Sequence, residues 1–434
     1  MKKIIVIGNS IAGVRALEEI RTLDKESEIT VFCEDSHLPY QSHLFGDLLA
    51  KEITEEKMFY KPASFYKDQN INMVLNKKIA RIDFKKSKVT TEEKESFAYD
   101  LLLVAGAGAF KLPDVKGINK MGIFGLKKLS DIKDILAILH LVETVTIQAD
   151  NIAALKMAYG LKKRGKEVLI IIPTTRILSS LIDQEPSEII MKNLEENGVS
   201  FVKETVLSEI LGDGDVKAVR LKTGKVIASQ MVIVDKRKPE LKIFQDTILD
   251  VNQGIRTDEF LKTNIENVFA VDNICELKDK GIFNVEQCGI TSLEEQGNAV
   301  GLTMSGHATT YTPSLRSVSF GLFDFSVQLL GRTKSETGLK EFVKSDTAPL
   351  IYKKIFVSEG CLVGAVLINV SAKERDRFIK LIREKADVSP FEGRLLEEGF
   401  DASQEGRQPA QANAPQGVSP LETGTEPVNT NRIV

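Results

Sequence analysis

Apolar positions in this chain follow two alternating rhythms, short continuous runs and helical repeats. Ile4-Ile5-Val6-Ile7 is an uninterrupted apolar run, as expected of a strand buried on both faces of a parallel sheet. A glycine-bounded turn follows at 8–13, and Ala16, Leu17 and Ile20 then recur on one helical face. Residues 28–33 predict a second strand. The rhythm restarts near residue 145. Residues 144–148 read as a strand, 152–164 as a helix closing at Gly165, and 168–172 as the next buried strand. Two such βαβ units predict an α/β protein with two Rossmann-like, doubly wound domains.

The pattern changes after about residue 315. Strands are predicted at 318–322, 350–357 and 362–368, with Ser358-Glu359-Gly360 as a hairpin turn. Ser371-Ala372-Lys373-Glu374 is a capping box that opens a helix running to about residue 384. This is a small α+β C-terminal domain. The remaining stretch, 391–434, turns rich in Gln, Pro, Asn, Thr and Gly, most clearly from about 401. It is expected to be a disordered, solvated tail, because so few large apolar residues cannot offset the entropy of ordering.

With 434 residues, 42% of them hydrophobic, the chain can fill several cores. Its 58 Lys and Arg against 61 Asp and Glu leave a net charge of −3, which argues against nucleic acid or an anionic membrane as partner. Cys33, Cys275, Cys288 and Cys361 form no C-x-x-C and no clustered pattern, so no metal site is expected. Few scattered cysteines fit a reducing compartment, and no run approaches the ~18 apolar residues of a membrane helix. The N-terminus enters a strand without a leader pattern, so a cytoplasmic location is expected.

Gly8-Asn9-Ser10-Ile11-Ala12-Gly13 stands where a strand turns into a helix, the setting of the G-x-G-x-x-G dinucleotide pattern. Gly8 permits the tight turn, and Gly13 lets helix and strand pack closely. The middle glycine, which lets backbone approach a diphosphate, is here Ser10, whose hydroxyl can donate to phosphate. The helix start adds the positive end of a dipole. Glu34 closes the second strand about 20 residues later, where a carboxylate grips ribose hydroxyls. Together these features point to an adenine dinucleotide; the bland alternative is a tight turn in an empty Rossmann unit.

Residues 4–13 and 28–34, with Leu38-Pro39-Tyr40, Phe65-Tyr66, 99–105, 267–272 and Glu295-Gln296-Gly297, resemble the pyridine nucleotide-disulfide oxidoreductase superfamily. The similarity is to its branch of NAD(P)H:rubredoxin, ferredoxin and nitrite reductase-like proteins, and it covers about residues 1–388. It implies an FAD domain in two pieces, 1–112 and 240–312. These would be interrupted by a nicotinamide-type domain at 113–239 and followed by a C-terminal interface domain at 313–390. In that family NAD(P)H reduces the flavin, which passes electrons to an iron–sulfur or rubredoxin-type protein. The implied cofactor-binding residues are Gly8, Ser10, Ile11, Ala12, Gly13, Glu34, Asp35, Ser42, Ala105, Gly106, Asp272 and Asn273. The small turn Ala105-Gly106-Ala107-Gly108 stands for the family's turn beside the flavin. Asp272 and Asn273 stand near the ribityl and phosphate groups.

The second fingerprint departs from the family. It falls on Ala149-Asp150-Asn151-Ile152-Ala153-Ala154, without glycine and with an added negative charge. The acid expected on the next strand falls at Ile172, followed by Pro173. FAD is therefore expected as cofactor, and ordinary NAD(P)H binding is not. The resemblance places the redox-active cysteine of the superfamily's peroxidase, NADH-oxidase and CoA-disulfide-reductase branches near 37–50, where this chain has none, so thiol catalysis is disfavoured, and the sequence names no catalytic residue. His37 and His43 lie in the loop expected near the flavin, where polar loop positions are the plainer reading. Lys236-Arg237-Lys238 reads as a solvated charge run, or alternatively as a docking patch for an acidic redox partner. The leading expectation is an FAD-binding electron-transfer flavoprotein, a homodimer or a subunit of a hetero-complex, working with a redox protein. The competing readings are an active NAD(P)H-dependent oxidoreductase and a non-catalytic scaffold with relic nucleotide sites.

Overall fold

The computed structural model describes residues 1–8, 10–106, 113–126, 128–234, 241–278, 281–282, 289–313, 315–397 and 400. Ala107, Gly108, Cys288, the run Lys236-Arg237-Lys238 and residues 401–434 lie outside the described residues.

The first apolar run is strand β1 (Lys3–Ile7), buried at Ile4 through Ile7. It leads into α1 (Ile11–Leu23), which buries Ala16, Leu17 and Ile20 as the helical spacing predicts. Next come β2 (Glu28–Phe32), the short helix α2 (Phe45–Leu49), β3 (Ile71–Val74) and β4 (Leu101–Ala105). Strand β1 pairs in parallel with β2 on one side and β4 on the other. Burial on both sides explains why its apolar run is unbroken.

The second unit opens with β5 (Ile123–Gly125) and α3 (Leu129–Ile138). It continues through β6 (Thr144–Gln148), α4 (Ile152–Lys163), β7 (Glu167–Ile171), α5 (Gln184–Glu196), β8 (Val199–Val202) and β9 (Met231–Val234). Its parallel sheet has the order β8-β7-β6-β9-β5. The chain then returns to the first sheet as β10 (Val268–Val271), giving the order β10-β4-β1-β2-β3. Strand β10 pairs in parallel with β4, so the first domain is assembled from two separated pieces of chain. Helix α6 (Ile290–Met304) packs across α1.

The third domain is a five-stranded antiparallel sheet of β11 (Ser317–Leu322), β12 (Phe325–Gly331), β13 (Lys340–Thr347), β14 (Leu350–Ser358) and β15 (Cys361–Ile368). Its order is β11-β12-β15-β14-β13. Helix α7 (Ala372–Arg383) covers one face, and its Ser371 cap accepts a hydrogen bond from the Glu374 N–H as the capping box predicts. Strands β12 and β13 were not apparent in the sequence. In β13 the polar positions Lys340, Glu341, Lys344, Ser345 and Asp346 outnumber the apolar ones, because it is a largely exposed edge strand. Order also runs past 391: Leu395 and Phe400 are buried with Phe378 and Val388 beneath α7, so the expected tail boundary at 391 falls too early. Those two apolar residues, sparse in sequence, are the ones the sheet's outer face needs.

The other face of this sheet, through Phe320, Val327, Tyr352 and Phe356, shares one apolar core with the second Rossmann-like unit. Among the described residues no helix is long and apolar enough to cross a membrane.

Candidate functional site

The site is built at the carboxyl ends of β1, β4 and β10, where an open parallel sheet presents its crevice. Strand β1 stops at Gly8, which turns at φ +104°. A Cβ there would stand 2.2 Å from the Ala105 carbonyl oxygen and 2.7 Å from that of Gly106, so no other residue fits. Ser10 caps α1, its Oγ accepting from the Gly13 N–H at 3.2 Å. That leaves the Ser10 hydroxyl proton and the helix-start N–H of Ile11 to face an anion. Gly13 lets α1 lie on the end of β4: a Cβ would come within 2.8 Å of the Ala105 Cβ.

Opposite this cradle, Asp272 sits at the end of β10 with φ +69° and 8% exposure. Its N–H donates to Gln296 Oε1 at 2.7 Å, and its carboxylate accepts from the Asn273 N–H at 2.5 Å. Asn273 Oδ1 and Gln296 Nε2 are buried without a hydrogen-bond partner among the described residues. Unsatisfied buried groups of this kind call for a polar ligand.

At the other end, the two predicted carboxylates divide their roles. Asp35 is turned into its own loop, accepting from the Tyr40 hydroxyl at 2.6 Å and the His37 N–H at 2.9 Å. Tyr40 in turn accepts from the Leu129 N–H at 3.0 Å, and burial and Asp35 push its phenol above the ordinary value. Glu34 remains at the rim, 42% exposed and paired with Lys128 at 3.1 Å. Of the two carboxylates at this end of the cavity it is the more exposed.

These groups line one cavity of about 680 Å³. It takes in Gly8, Ser10, Ile11, Glu34, Asp35, Ser42, Ala105, Gly106, Asp272 and Asn273. Ala12 and Gly13, also predicted, do not line it; they are buried where α1 packs on α6 and β4. His43 lines the cavity and His37 does not.

The cavity also has walls that the sequence did not announce: Asp47, then Ile152, Ala153 and Lys156 of α4, residues 289–291, and residues 317–321 of β11. Asp47 and Lys156 form an ion pair there, at 15% and 12% side-chain exposure, and the Lys156 ammonium also reaches the Gly321 carbonyl at 3.3 Å. Lys156 lies in an ordinary amphipathic helix, so no local signal marked it. Beside it, His43 opens onto the cavity and is exposed to solvent as a residue, while protein atoms crowd one side of its ring. Loss of water pushes its pKa down to about 4, with Asp47 opposing and Lys156 adding to the fall.

Cys33 and Cys275 are buried, and burial raises both thiols to about 12, so neither offers a thiolate near neutral pH. Among the described residues no group of three His, Cys, Asp or Glu could hold a metal ion.

The residues present fit an extended dinucleotide: a helix start that can face an anion lies in the middle, a carboxylate at one end, and small residues with a polar atom unsatisfied among the described residues at the other. Known proteins agree with this architecture. Residues 2–291 match a family model described as pyridine nucleotide-disulphide oxidoreductase, and residues 320–386 match the rubredoxin NAD+ reductase C-terminal domain. The nitrite reductase [NAD(P)H] of Bacillus subtilis is 27% identical over 89% of this chain and 48% of its own length. The assimilatory nitrate reductase electron transfer subunit of the same organism is 22% identical over 91% of this chain and 51% of its own. The chain thus spans about half the length of these two relatives. A ferredoxin reductase from Rhodopseudomonas palustris superposes with a TM-score of 0.84 at 18% identity, covering 93% of this chain and all of that one, which shows a shared fold.

Proposed function

The chain belongs to the pyridine nucleotide-disulphide oxidoreductase family, and from that premise we propose that it is an FAD-binding electron-transfer flavoprotein of the rubredoxin/ferredoxin reductase type. The observation that carries this is the continuous cavity from Glu34, past the Gly8–Ser10 turn, to Asp272, Asn273 and β11. Bound FAD supplies two-electron acceptance and stepwise electron release.

The protein's own residues bind and orient the cofactor. Glu34 takes ribose hydroxyls, and Ser10 with the start of α1 neutralises the diphosphate. Asp272 and Asn273, which line the cavity, hold the ribityl segment, and Gln296 positions Asp272 by accepting from its N–H. Asp47, Lys156 and neutral His43 set the electrostatics at the far end, and β11 supplies a wall there.

The partner we propose is a small rubredoxin-type or iron–sulfur protein, and the chain acts as a subunit or partner of a larger redox assembly. The C-terminal match to a rubredoxin reductase domain and the likeness to a protein named as an electron transfer subunit support this. The test is the visible spectrum of the purified protein. It should show a flavin band near one FAD per chain, and G8A should lose it. A colourless protein that does not take up added FAD defeats the reading.

A second reading, a reductase driven directly by NAD(P)H, is favoured by the likeness to a nitrite reductase named for NAD(P)H. Anaerobic mixing with NADH or NADPH separates the two, since only the second reading expects rapid bleaching.

A further inference from the structure

The second βαβ turn has the topology of a nucleotide site but is occupied by the chain's own side chains. Helix α4 begins after Ala149-Asp150-Asn151. A diphosphate at such a start needs bare backbone N–H groups and no competing negative charge. Asn151 Oδ1 accepts the Ala154 N–H at 2.9 Å, the same cap that Ser10 makes at the start of α1, so the difference between the two helix starts lies in Asp150. Asp150 sets a carboxylate beside the helix start and holds the loop that follows β7. One of its oxygens accepts from the Leu178 N–H at 2.5 Å; the other accepts from the Ser179 hydroxyl at 2.9 Å and lies 3.3 Å from that of Thr174.

Leu178 is fully buried and sits at φ +51°, a conformation disfavoured for a bulky residue, with its N–H held by Asp150. The loop is tied down further. Ser187 Oγ donates to the Ile177 carbonyl at 2.7 Å, and Lys334 of the third domain donates to the Ser179 carbonyl at 3.0 Å. At the strand end where a carboxylate would hold the nucleotide's ribose stands Ile172, fully buried.

We infer that Asp150 is an internal anion that locks the 174–179 loop and closes the second dinucleotide crevice to NAD(P)H, so that electrons reach this protein from a reduced protein donor. The donor half of this inference rests on the flavoprotein reading above. The lock itself does not, because it concerns nucleotide binding and loop dynamics alone.

Two measurements on the full-length protein decide it. In the first, thermal unfolding is followed with and without millimolar NADH, NADPH or NAD+, and the flavin-loaded protein is mixed anaerobically with NADH, NADPH or dithionite. We expect no nucleotide-induced shift in Tm and full bleaching by dithionite but not by nucleotide. Stabilisation by a nucleotide, or bleaching within a second at micromolar NADH or NADPH, overturns the inference. In the second, amide hydrogen exchange is compared between wild type and D150N. The Leu178 amide should exchange on the order of tenfold faster or more once the charged acceptor is gone. Unchanged exchange in a folded D150N protein overturns the lock. If D150N does not fold, S179A, which removes one donor and leaves the carboxylate, gives the same readout with a smaller change. A protein without flavin defeats the earlier reading while leaving the nucleotide and exchange results to stand.

Discussion

At the scale of single residues, the cradle depends on atoms that cannot be added. Gly8→Ala would force a methyl group into the Ala105 carbonyl and also strain a φ of +104°. We expect it to lower stability by roughly 1–3 kcal/mol and to shed FAD, measured by thermal unfolding and by flavin content after gel filtration. His43 makes a different prediction. Its folded pKa of about 4 lies below its ordinary value. The unfolded chain therefore takes up a proton near pH 6.5 that the folded chain refuses until about pH 4. The stability His43 leaves intact above that range falls as pH drops through it, and H43Q should flatten the decline. An NMR titration checks the premise directly: the His43 ring should shift only near pH 4. The ring should stay neutral at physiological pH, next to the Asp47–Lys156 pair, where it can donate one hydrogen bond without adding charge.

At the scale of elements, what the sequence disclosed and what it hid divide along physical lines. Both βαβ units were legible because parallel strands buried on two faces leave unbroken apolar runs, as at Ile4-Ile5-Val6-Ile7. Turn glycines were legible because Gly8 has no substitute. Strand β13 was hidden because an exposed edge strand carries charges, and Lys156 was hidden because its partner Asp47 comes from 109 residues away. The helix crossings were hidden too, although they position the site. Gly297 and Gly301 of α6 meet α1 so closely that a Cβ would lie 2.4 Å from the Ala12 carbonyl or 2.7 Å from that of Ala16. Gly46 and Gly160 make the same kind of contact between α2 and α4, with a Cβ on Gly46 only 2.4 Å from the Lys156 carbonyl. Overpacking of this kind costs about 1–3 kcal/mol. G297A should therefore lower Tm and weaken FAD binding together, because it pushes away the helix start that faces the diphosphate. G46A should lower Tm by a similar amount and disturb the Asp47–Lys156 end of the cavity while leaving the diphosphate cradle in place. Flavin content compared with Tm across the two variants separates the effects.

At the scale of the whole molecule, the third domain completes the cavity through residues 317–321 and must be held in register with the second Rossmann-like unit to do so. The shared apolar core supplies area, but area alone permits sliding. The fixing element is polar: Lys354, buried in β14, donates to Asp183 at 2.7 Å and Ser335 at 3.0 Å, and pairs with Glu341 at 2.8 Å. Burial alone would raise Asp183, but hydrogen bonds from Lys354 and Ser335 bring its carboxyl below the ordinary value. Its contribution is therefore present above about pH 4 and is lost as the pH falls through the folded value. Lys354→Met removes the cation and leaves two carboxylates facing each other at a covered interface. Breaking a buried pair costs roughly 3–5 kcal/mol, and the partial exposure of Asp183 and Glu341 places this case at the lower end. The expected result is a large fall in Tm for K354M, with partial recovery in K354M/D183N because the stranded charge is gone. A double-mutant cycle on Lys354 and Asp183 should return a coupling of at least about 1 kcal/mol. If the pair instead proves uncoupled, the apolar core and the other cross-domain hydrogen bonds, from Lys334 to the Ser179 carbonyl and from Thr333 to the Leu181 carbonyl, set the register, and the cavity's β11 wall would then owe nothing to this contact.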